Sequence, residues 1–150
     1  MRAVLQRVRK AAVHIDGQSH ASIGRGLLVF LGIQAADTGD DLSWLASKIV
    51  RQRIFEDAEG KMNLSLPEIL GEALVISQFT LHASTQKGTR PSFHRAEKPE
   101  RARELYDCFV REFAKISGVP VKTGIFAADM QVELINDGPV TLILDSRMKE

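Results

Sequence analysis

Residues 132–143, VELINDGPVTLI, form the segment that most constrains the fold of this chain. Apolar residues alternate on both sides of Asn136-Asp137-Gly138, which is typical of a β-hairpin with Asp-Gly at its tip. Pro139 nevertheless stands where the return strand should begin, and proline has no backbone N–H to donate to a strand ladder. We therefore expect strands at 129–136 and 140–146 with an unusual connection between them.

Two conformations of the Gly138-Pro139 bond are compatible with this pattern. A trans bond would end an ordinary turn at a sheet edge, and cis bonds make up only about 5–6% of X–Pro bonds in folded proteins. A cis bond would instead fold the backbone sharply and turn successive carbonyl oxygens toward the same side. Two fixed acceptors of this kind can recognise an ammonium group and exclude bulk. The pattern alone leaves both conformations open.

The remainder of the chain predicts one α+β domain over residues 1–150, with mixed, mostly antiparallel β-sheets and two long α-helices. The uniformly apolar run LLVFLGI at 27–33 indicates a strand that is covered on both faces, and EALVISQF at 72–79 indicates another strand. Shorter strands are predicted at 2–9, 11–16 and 19–24, with IDGQ at 15–18 as the turn between the last two.

Two segments have helical periodicity. The first follows Asp37 or Thr38 as its N-terminal cap. Its apolar positions are Leu42, Leu45, Ala46, Ile49 and Val50. The second runs from Pro99 to Ser117, with Gly118 as its C-terminal cap. Its predicted apolar stripe consists of Leu105, Phe109, Phe113 and Ile116.

Composition and length restrict the class of protein. A chain of 150 residues, 44% hydrophobic and 26% charged, is suited to one globular domain. Its first residues, MRAVLQRVRKAAVHI, lack the apolar region of a signal peptide, and the longest apolar run is too short to cross a bilayer. We expect the single Cys108 to fill the core and not to act as a nucleophile. The protein is predicted to be cytoplasmic, without membrane contact.

Positive charge is concentrated in one part of the chain, although the formal net charge is only +1. Between Lys87 and Arg103, six basic residues stand against two acidic ones. A local basic patch on a balanced protein can bind phosphate groups. It can equally be the ordinary solvated start of a helix, and the sequence does not choose between these interpretations.

The short motifs of phosphate loops, dinucleotide-binding loops and zinc proteases are missing from the sequence. With one cysteine and four dispersed histidines, we expect neither a metal site nor a cofactor. The best candidate for chemistry is SQFTLH at 77–82, where an apolar strand continues into hydroxyl and amide side chains. If this segment stays extended, Gln78, Thr80 and His82 share one face. Thr80 is then either a nucleophile near His82 or an ordinary strand residue.

SQFTL at 77–81 and NDGPVT at 136–141 together resemble the paired signature of the D-aminoacyl-tRNA deacylases, a family first named for D-tyrosyl-tRNA. The resemblance continues through MRAVLQRV at the start, KGTRPSF at 87–93 and TGIFAADMQVELINDGPVT at 123–141. Ser77 and Phe79 agree with the D-specific branch and not with the sister group that acts on tRNA mischarged with L-alanine. Ala127 departs from the pattern, because glycine is frequent there in the family.

The resemblance implies an enzyme that hydrolyses the ester between a D-amino acid and the 3′ end of tRNA. It also implies a homodimer with active sites at the subunit interface, in which a cis Gly138-Pro139 bond reaches into the pocket of the other subunit. The Gly138 and Pro139 carbonyls would bind the α-amino group of the substrate and reject L-amino acids, and Arg7 would brace this loop. Glycine has no side chain and should evade such a filter, so activity on glycyl-tRNA is expected.

The same resemblance assigns the remaining site residues. Ser77, Gln78 and Thr80 would be catalytic, Phe79 and Met130 would line the substrate pocket, and Lys87, Arg90 and Arg95 would contact tRNA. Phe79 could pack against the terminal adenosine. Thr80 could form an acyl-enzyme, or the protein could position the substrate while the 2′-hydroxyl of the adenosine assists the attack of water. We expect the second mechanism, since the sequence near Thr80 offers no convincing base and an aminoacyl ester is already labile.

Two alternative functions stay open at this point. The chain could be an editing deacylase of the same fold that prefers small L- or achiral aminoacyl-tRNA. It could also be a non-catalytic protein that binds the acceptor end of tRNA. A DNA partner is not expected.

Overall fold

The computed structural model describes residues 1–149 and confirms the predicted α+β fold. Its elements are β1 (Arg2–Ile15), β2 (Gln18–Ile23), β3 (Gly26–Gly32), α1 (Gly39–Val50), β4 (Phe55–Glu56), β5 (Met62–Leu64), β6 (Glu72–Ser77), α2 (Pro99–Ser117), β7 (Val121–Thr123) and β8 (Gln131–Asp145). A 3₁₀ turn, Phe79–His82, lies between β6 and α2. In this described part of the chain, neither α-helix has the length and apolar character needed to span a bilayer.

The main sheet has six strands and is organised around β1. β8 runs antiparallel along one edge of β1, while β2 and β3 pair antiparallel with the two ends of its other edge. β6 is parallel to β3, and β7 is parallel to β6. β3 therefore has neighbours on both sides, and six of its seven residues are buried, as the apolar run predicted. β4 and β5 form a separate small hairpin.

The first 15 residues contain one strand, and the prediction of two strands at 2–9 and 11–16 was wrong. A β-bulge interrupts the alternation of buried and exposed side chains along β1. There the register with β8 shifts between Val8 and Lys10. Ala3 and Leu5 pack in the core under the helices, whereas Val8 and Ala11 pack in a second cluster on the opposite face. The two halves of β1 thus bury different faces.

The segment that suggested a hairpin is also a single strand. β8 pairs with β1 on both sides of the Asp-Gly sequence. Asn136 lies opposite Val8 and Thr141 lies opposite Gln6, so residues 137–140 bulge out opposite one residue of β1. The hairpin prediction was wrong because the two alternating stretches pair with the same neighbour and not with each other.

Both α-helices pack on the same face of the main sheet. α1 begins after Thr38, whose backbone N–H donates to the carboxylate of Asp41 at 2.9 Å. α2 has the predicted bounds and ends at Gly118, which adopts the left-handed conformation. The buried apolar side chains of the two helices form one core with β1, β3 and β6.

Two predictions for side chains of α2 were wrong. Ile116 is 39% exposed and Cys108 is exposed, although both were assigned to the apolar interior. The buried residues of α2 recur at spacings of three and four and are Ala102, Tyr106, Phe109, Phe113 and Ser117. Cys108 lies outside this stripe and therefore faces away from the core.

Candidate active site

A cleft of about 510 Å³ lies at the C-terminal end of β6. Ser77 ends this strand, and Gln78 and Phe79 continue along the cleft wall, together with Met130 from the segment before β8. Further lining comes from apolar side chains and two carboxylates, including Leu31, Ile33, Ile76, Phe126, Val132, Glu97 and Asp129. A mostly apolar cleft with a few convergent polar groups is typical of a small-molecule site.

The segment after Ser77 is not extended. Residues Phe79–His82 form a 3₁₀ turn, so the shared face expected for Gln78, Thr80 and His82 was wrong. The amide Nε2 of Gln78 donates to the hydroxyl of Thr80 at 2.5 Å. Thr80 is exposed and lies outside the set of residues that line the cleft.

His82 is the last residue of this turn, and it makes no hydrogen bond with the Thr80 hydroxyl in the described residues. It is only 3% exposed, it hydrogen-bonds with the Gly32 backbone, and its Nε2 has no hydrogen-bond partner within residues 1–149. Burial lowers the pKa of His82, and this effect outweighs the opposing one of the Gly32 hydrogen bond. The ring therefore supports the turn as a neutral group, while no base contacts Thr80 in the described residues.

Two exposed aromatic side chains meet at the rim of the cleft. Phe79 is 57% exposed and Phe93 is 39% exposed. Their rings pack edge to face with centroids 5.0 Å apart. Exposed aromatic faces are suited to stacking with unpaired nucleobases.

The Gly138-Pro139 bond is cis, which decides between the two conformations that the sequence allowed. Gly138 has a φ of +156°, and a Cβ added to it would lie 2.5 Å from the backbone nitrogen of Val140. Only glycine fits this position without a shift of the bulge. Both Gly138 and Pro139 are exposed, and neither lines the cleft of its own chain.

Arg7 is buried beneath this bulge. Its Nε donates to the backbone carbonyl of Asp137 at 2.8 Å, and its Nη1 donates to the carbonyl of Ile54 at 2.6 Å. The carboxylates of Asp137 and Glu56 lie 3.6 and 3.9 Å from the guanidinium. Arg7 thus joins the bulge to the segment before β4. Ile54 and Glu56 were not among the predicted site residues, because contacts between residues so distant along the chain leave no periodic signal.

The basic residues Lys87, Arg90 and Arg95 are exposed in the loop between the 3₁₀ turn and α2. Reciprocal backbone hydrogen bonds of 2.8 and 2.9 Å between Ser84 and Ser92 close this loop. The loop also contains Phe93. The basic side chains therefore lie in the same segment as one of the two aromatic side chains at the rim of the cleft. Within residues 1–149, no group of three or more histidine, cysteine, aspartate or glutamate side chains is arranged to hold a metal ion.

The backbone conformation of Ala127 accounts for the glycine that the resemblance leads us to expect at this position. It lines the cleft and has a φ of +64°, in the left-handed region. Glycine adopts this region without steric cost, whereas other residues rarely do. The backbone geometry therefore favours glycine at this position, and alanine is the smallest L-residue that can replace it.

Comparison with known sequences gives a consistent result. A family model described as D-Tyr-tRNA(Tyr) deacylase matches residues 4–145. A D-aminoacyl-tRNA deacylase of Akkermansia muciniphila is 59% identical over 150 residues, which is 100% of each chain. A D-aminoacyl-tRNA deacylase of Chlorobaculum tepidum is 56% identical over 149 residues, which is 99% of each chain.

Two solved structures share the fold. One, named c-Myc DNA Unwinding Element Binding Protein, is 41% identical, with a TM-score of 0.91 over 97% of this chain and 98% of the other. The second, a probable eukaryotic D-amino acid tRNA deacylase, is 21% identical, with a TM-score of 0.82 over 96% and 98%, and it supports the fold alone. Because the family model covers nearly the whole chain and the relatives align from end to end, the chain belongs to the D-Tyr-tRNA(Tyr) deacylase family.

Proposed function

We propose that this protein hydrolyses the ester bond of D-aminoacyl-tRNA, releasing the free D-amino acid and tRNA. Family membership and relatives named D-aminoacyl-tRNA deacylase support the activity. The observation that carries the chiral part of the proposal is the exposed cis Gly138-Pro139 bulge, which is built on a buried arginine. A main-chain element of this kind can test the configuration at Cα without contacting the side chain of the substrate.

The catalytic unit in this proposal is a homodimer. The bulge does not line the cleft of its own chain, and in this proposal a second copy supplies it. Two features of β8 are consistent with a subunit contact. Within residues 1–149, β8 pairs only with β1, which leaves one edge of this strand open, and Ile135 and Ile143 are 46% and 69% exposed.

In the assembled site, the carbonyl oxygens of Gly138 and Pro139 accept hydrogen bonds from the α-ammonium group of the substrate. A D-amino acid then directs its side chain away from the bulge, so many side chains are accepted. An L-amino acid directs its side chain into the main chain of the bulge and is excluded by steric overlap. Glycine has no side chain to exclude, so glycyl-tRNA is a second substrate.

For the chemical step, the protein positions the ester while the free 2′-hydroxyl of the terminal adenosine assists the attack of water. Water adds to the ester carbonyl, the tetrahedral intermediate collapses, and the 3′-oxygen leaves with a proton. Ser77 and Gln78 lie on the cleft wall, where they can orient the ester, and Phe79 can pack against the adenine. Thr80 supports Gln78 through their hydrogen bond and is not the nucleophile.

The rest of the tRNA contacts the loop between the 3₁₀ turn and α2. Lys87, Arg90 and Arg95 are exposed beside the aromatic rim, where they can meet the phosphates of the acceptor end. Each phosphate contact of this type makes binding weaker at higher salt. Because aminoacyl-tRNA is made and used in the cytoplasm, we place the protein there.

The decisive experiment is a hydrolysis assay with purified protein and four substrates: D-tyrosyl-, L-tyrosyl-, L-alanyl- and glycyl-tRNA. We expect rapid hydrolysis of D-tyrosyl-tRNA, measurable hydrolysis of glycyl-tRNA and far slower hydrolysis of L-tyrosyl-tRNA. Preference for L-alanyl-tRNA would instead identify an editing enzyme of the sister type. Binding of tRNA without hydrolysis of any substrate would identify a non-catalytic acceptor-end protein.

The same assay with added DNA tests the binding named for one of the solved structures, c-Myc DNA Unwinding Element Binding Protein. Duplex DNA at the concentration of the tRNA substrate should leave the hydrolysis of D-tyrosyl-tRNA unchanged. Inhibition by DNA at that concentration would contradict our expectation of a tRNA-specific partner.

A further inference from the structure

The side chain of Asn136 spans the base of the bulge in β8. Its Nδ2 donates to the backbone carbonyl of Arg7 at 3.0 Å and to the backbone carbonyl of Val140 at 3.2 Å. A primary amide nitrogen carries two hydrogens, so both bonds can form at once. Asn136 immediately precedes the bulge and Val140 is its last residue, so one side chain ties the start of the bulge to its end.

These two hydrogen bonds hold a part of β8 that lacks regular backbone pairing with β1. A β-bulge interrupts regular pairing, and here four residues oppose the single residue Arg7. The backbone carbonyl of Arg7 accepts from Asn136, while the guanidinium of Arg7 donates to the carbonyl of Asp137. The start of the bulge is therefore fixed to Arg7 directly, and its end, Val140, is fixed to Arg7 through the Asn136 amide. The two residues between these fixed points, Gly138 and Pro139, are the exposed ones.

We propose that Asn136 is a positioning residue for chiral selectivity: its amide holds the Gly138 and Pro139 carbonyls at the place where they meet the substrate. This inference rests on the proposed function of the bulge. Asn136 is not among the residues that line the cleft, and its side-chain hydrogen bonds within residues 1–149 go to main-chain carbonyls. Displacement of a substrate-positioning group by about 1 Å can reduce a rate by about 10²-fold, so loss of this tie should be visible in kinetics.

The chain offers a matched control for this role. Gln6 is the neighbouring cross-strand amide, and its Nε2 donates to the hydroxyl of Thr141 at 3.3 Å on the exposed surface. Thr141 lies directly after the bulge, so Gln6 joins the same two strands without holding the bulge itself. Replacement of either amide by the isosteric carboxylate removes the donor and adds one negative charge. Asn136→Asp and Gln6→Glu therefore differ mainly in whether the bulge loses its tie.

The test measures kcat/KM for D-tyrosyl-tRNA and L-tyrosyl-tRNA in the wild type and both variants, together with hydrogen–deuterium exchange of the peptide covering 137–143. In Asn136→Asp, we expect the ratio of D- to L-hydrolysis to fall by at least about tenfold. We also expect the backbone of the bulge to exchange faster. In Gln6→Glu, the ratio should stay within about twofold of the wild type.

Several outcomes would overturn the inference. It fails if folded Asn136→Asp keeps the wild-type ratio, or if Gln6→Glu loses as much selectivity as Asn136→Asp. Should Asn136→Asp not fold, Asn136→Ser replaces it, since serine offers only one donor, and an unchanged ratio in that variant overturns the inference equally. A Pro139→Ala variant separates the two proposals. If it too keeps the wild-type ratio, the proposed role of the bulge fails, whereas a loss in Pro139→Ala alone removes only the role of Asn136.

Discussion

Arg7 and Asp137 are joined across β1 and β8 by a 2.8 Å hydrogen bond from the guanidinium Nε to the main-chain carbonyl. Arg7 is 5% exposed, whereas Asp137 begins the bulge that carries the exposed Gly138-Pro139 bond. Arg9 contacts the carboxylate of the same Asp137 at 3.1 Å, but its side chain is 75% exposed. The contribution of a buried arginine, Arg7, can therefore be compared with that of an exposed arginine, Arg9, at the same residue, Asp137.

Replacement of Arg7 by lysine should lower the free energy of unfolding by about 2–3 kcal/mol. An ammonium group cannot reproduce the forked contacts with Asp137 and Ile54, and an unpaired buried acceptor costs about 1–3 kcal/mol. Arg9→Lys should change stability by less than about 1 kcal/mol, because exposed ion pairs contribute about 0–1 kcal/mol. Urea unfolding of both variants measures the difference, and equal losses would contradict the buried brace.

Replacement of Gly138 by alanine should reduce kcat/KM for D-tyrosyl-tRNA by at least about tenfold while the protein stays folded. The new Cβ would lie 2.5 Å from the backbone nitrogen of Val140, so the bulge must move. Gly39→Ala is the control, because a Cβ there meets no atom within 4 Å and alanine favours the first turn of α1. Hydrolysis rates and thermal unfolding midpoints should be measured together. Full activity in Gly138→Ala would show that the bulge tolerates displacement.

The stability of the protein should fall as the pH drops from 7 to 5.5, and His82 should account for much of this fall. Burial lowers the pKa of His82 below its usual 6.5 in the folded state, with the N-terminal ammonium and Arg2 acting in the same direction and Asp37 opposing them. Below about pH 6.5, the unfolded chain therefore binds more protons than the folded one, and stability decreases by up to about 1.4 kcal/mol per pH unit.

His82→Gln should flatten this dependence, since the amide does not titrate. His94→Gln is the control, because His94 is exposed in the loop after the 3₁₀ turn and its ring hydrogen-bonds only with the Ser92 hydroxyl, at 3.0 Å, among the described residues. Urea unfolding at pH 7 and 5.5 provides the measurement. The carboxyl groups with lowered pKa values, including Asp41 and Asp145, lose their stabilisation in more acidic solution and do not affect this window. An unchanged pH dependence in His82→Gln would contradict the prediction.

Thr80→Val should keep kcat/KM for D-tyrosyl-tRNA within about tenfold of the wild type, because the hydroxyl contacts Gln78 and no base. A substrate that ends in 2′-deoxyadenosine should react at least about a hundredfold more slowly with both proteins, because it lacks the assisting hydroxyl. Single-turnover hydrolysis separates these effects from product release. Complete loss of turnover in Thr80→Val, together with normal hydrolysis of the deoxy substrate, would make Thr80 the nucleophile.

Elements with strong local signals could be predicted from the sequence. The bounds of α2 follow from Pro99 at its start and Gly118 after its end, and β3 follows from its continuous apolar run. Four predicted residues line the cleft: Ser77, Gln78 and Phe79, which belong to the SQFTLH segment singled out from its pattern, and Met130, which was assigned through the resemblance. Periodicity did not indicate the 3₁₀ turn, because a turn of four residues is too short to establish a period of its own.

Local sequence thus determined both helices and the buried strand β3, because capping and apolar periodicity act between residues close along the chain. The tertiary structure decided how these segments are used. Whether the alternation around Asp137-Gly138 is a hairpin or a bulged strand depends on the neighbouring strand, and here both halves pair with β1. The partners of Arg7 come from segments that lie 47 and 130 residues away in the chain, so only the packed fold brings them together.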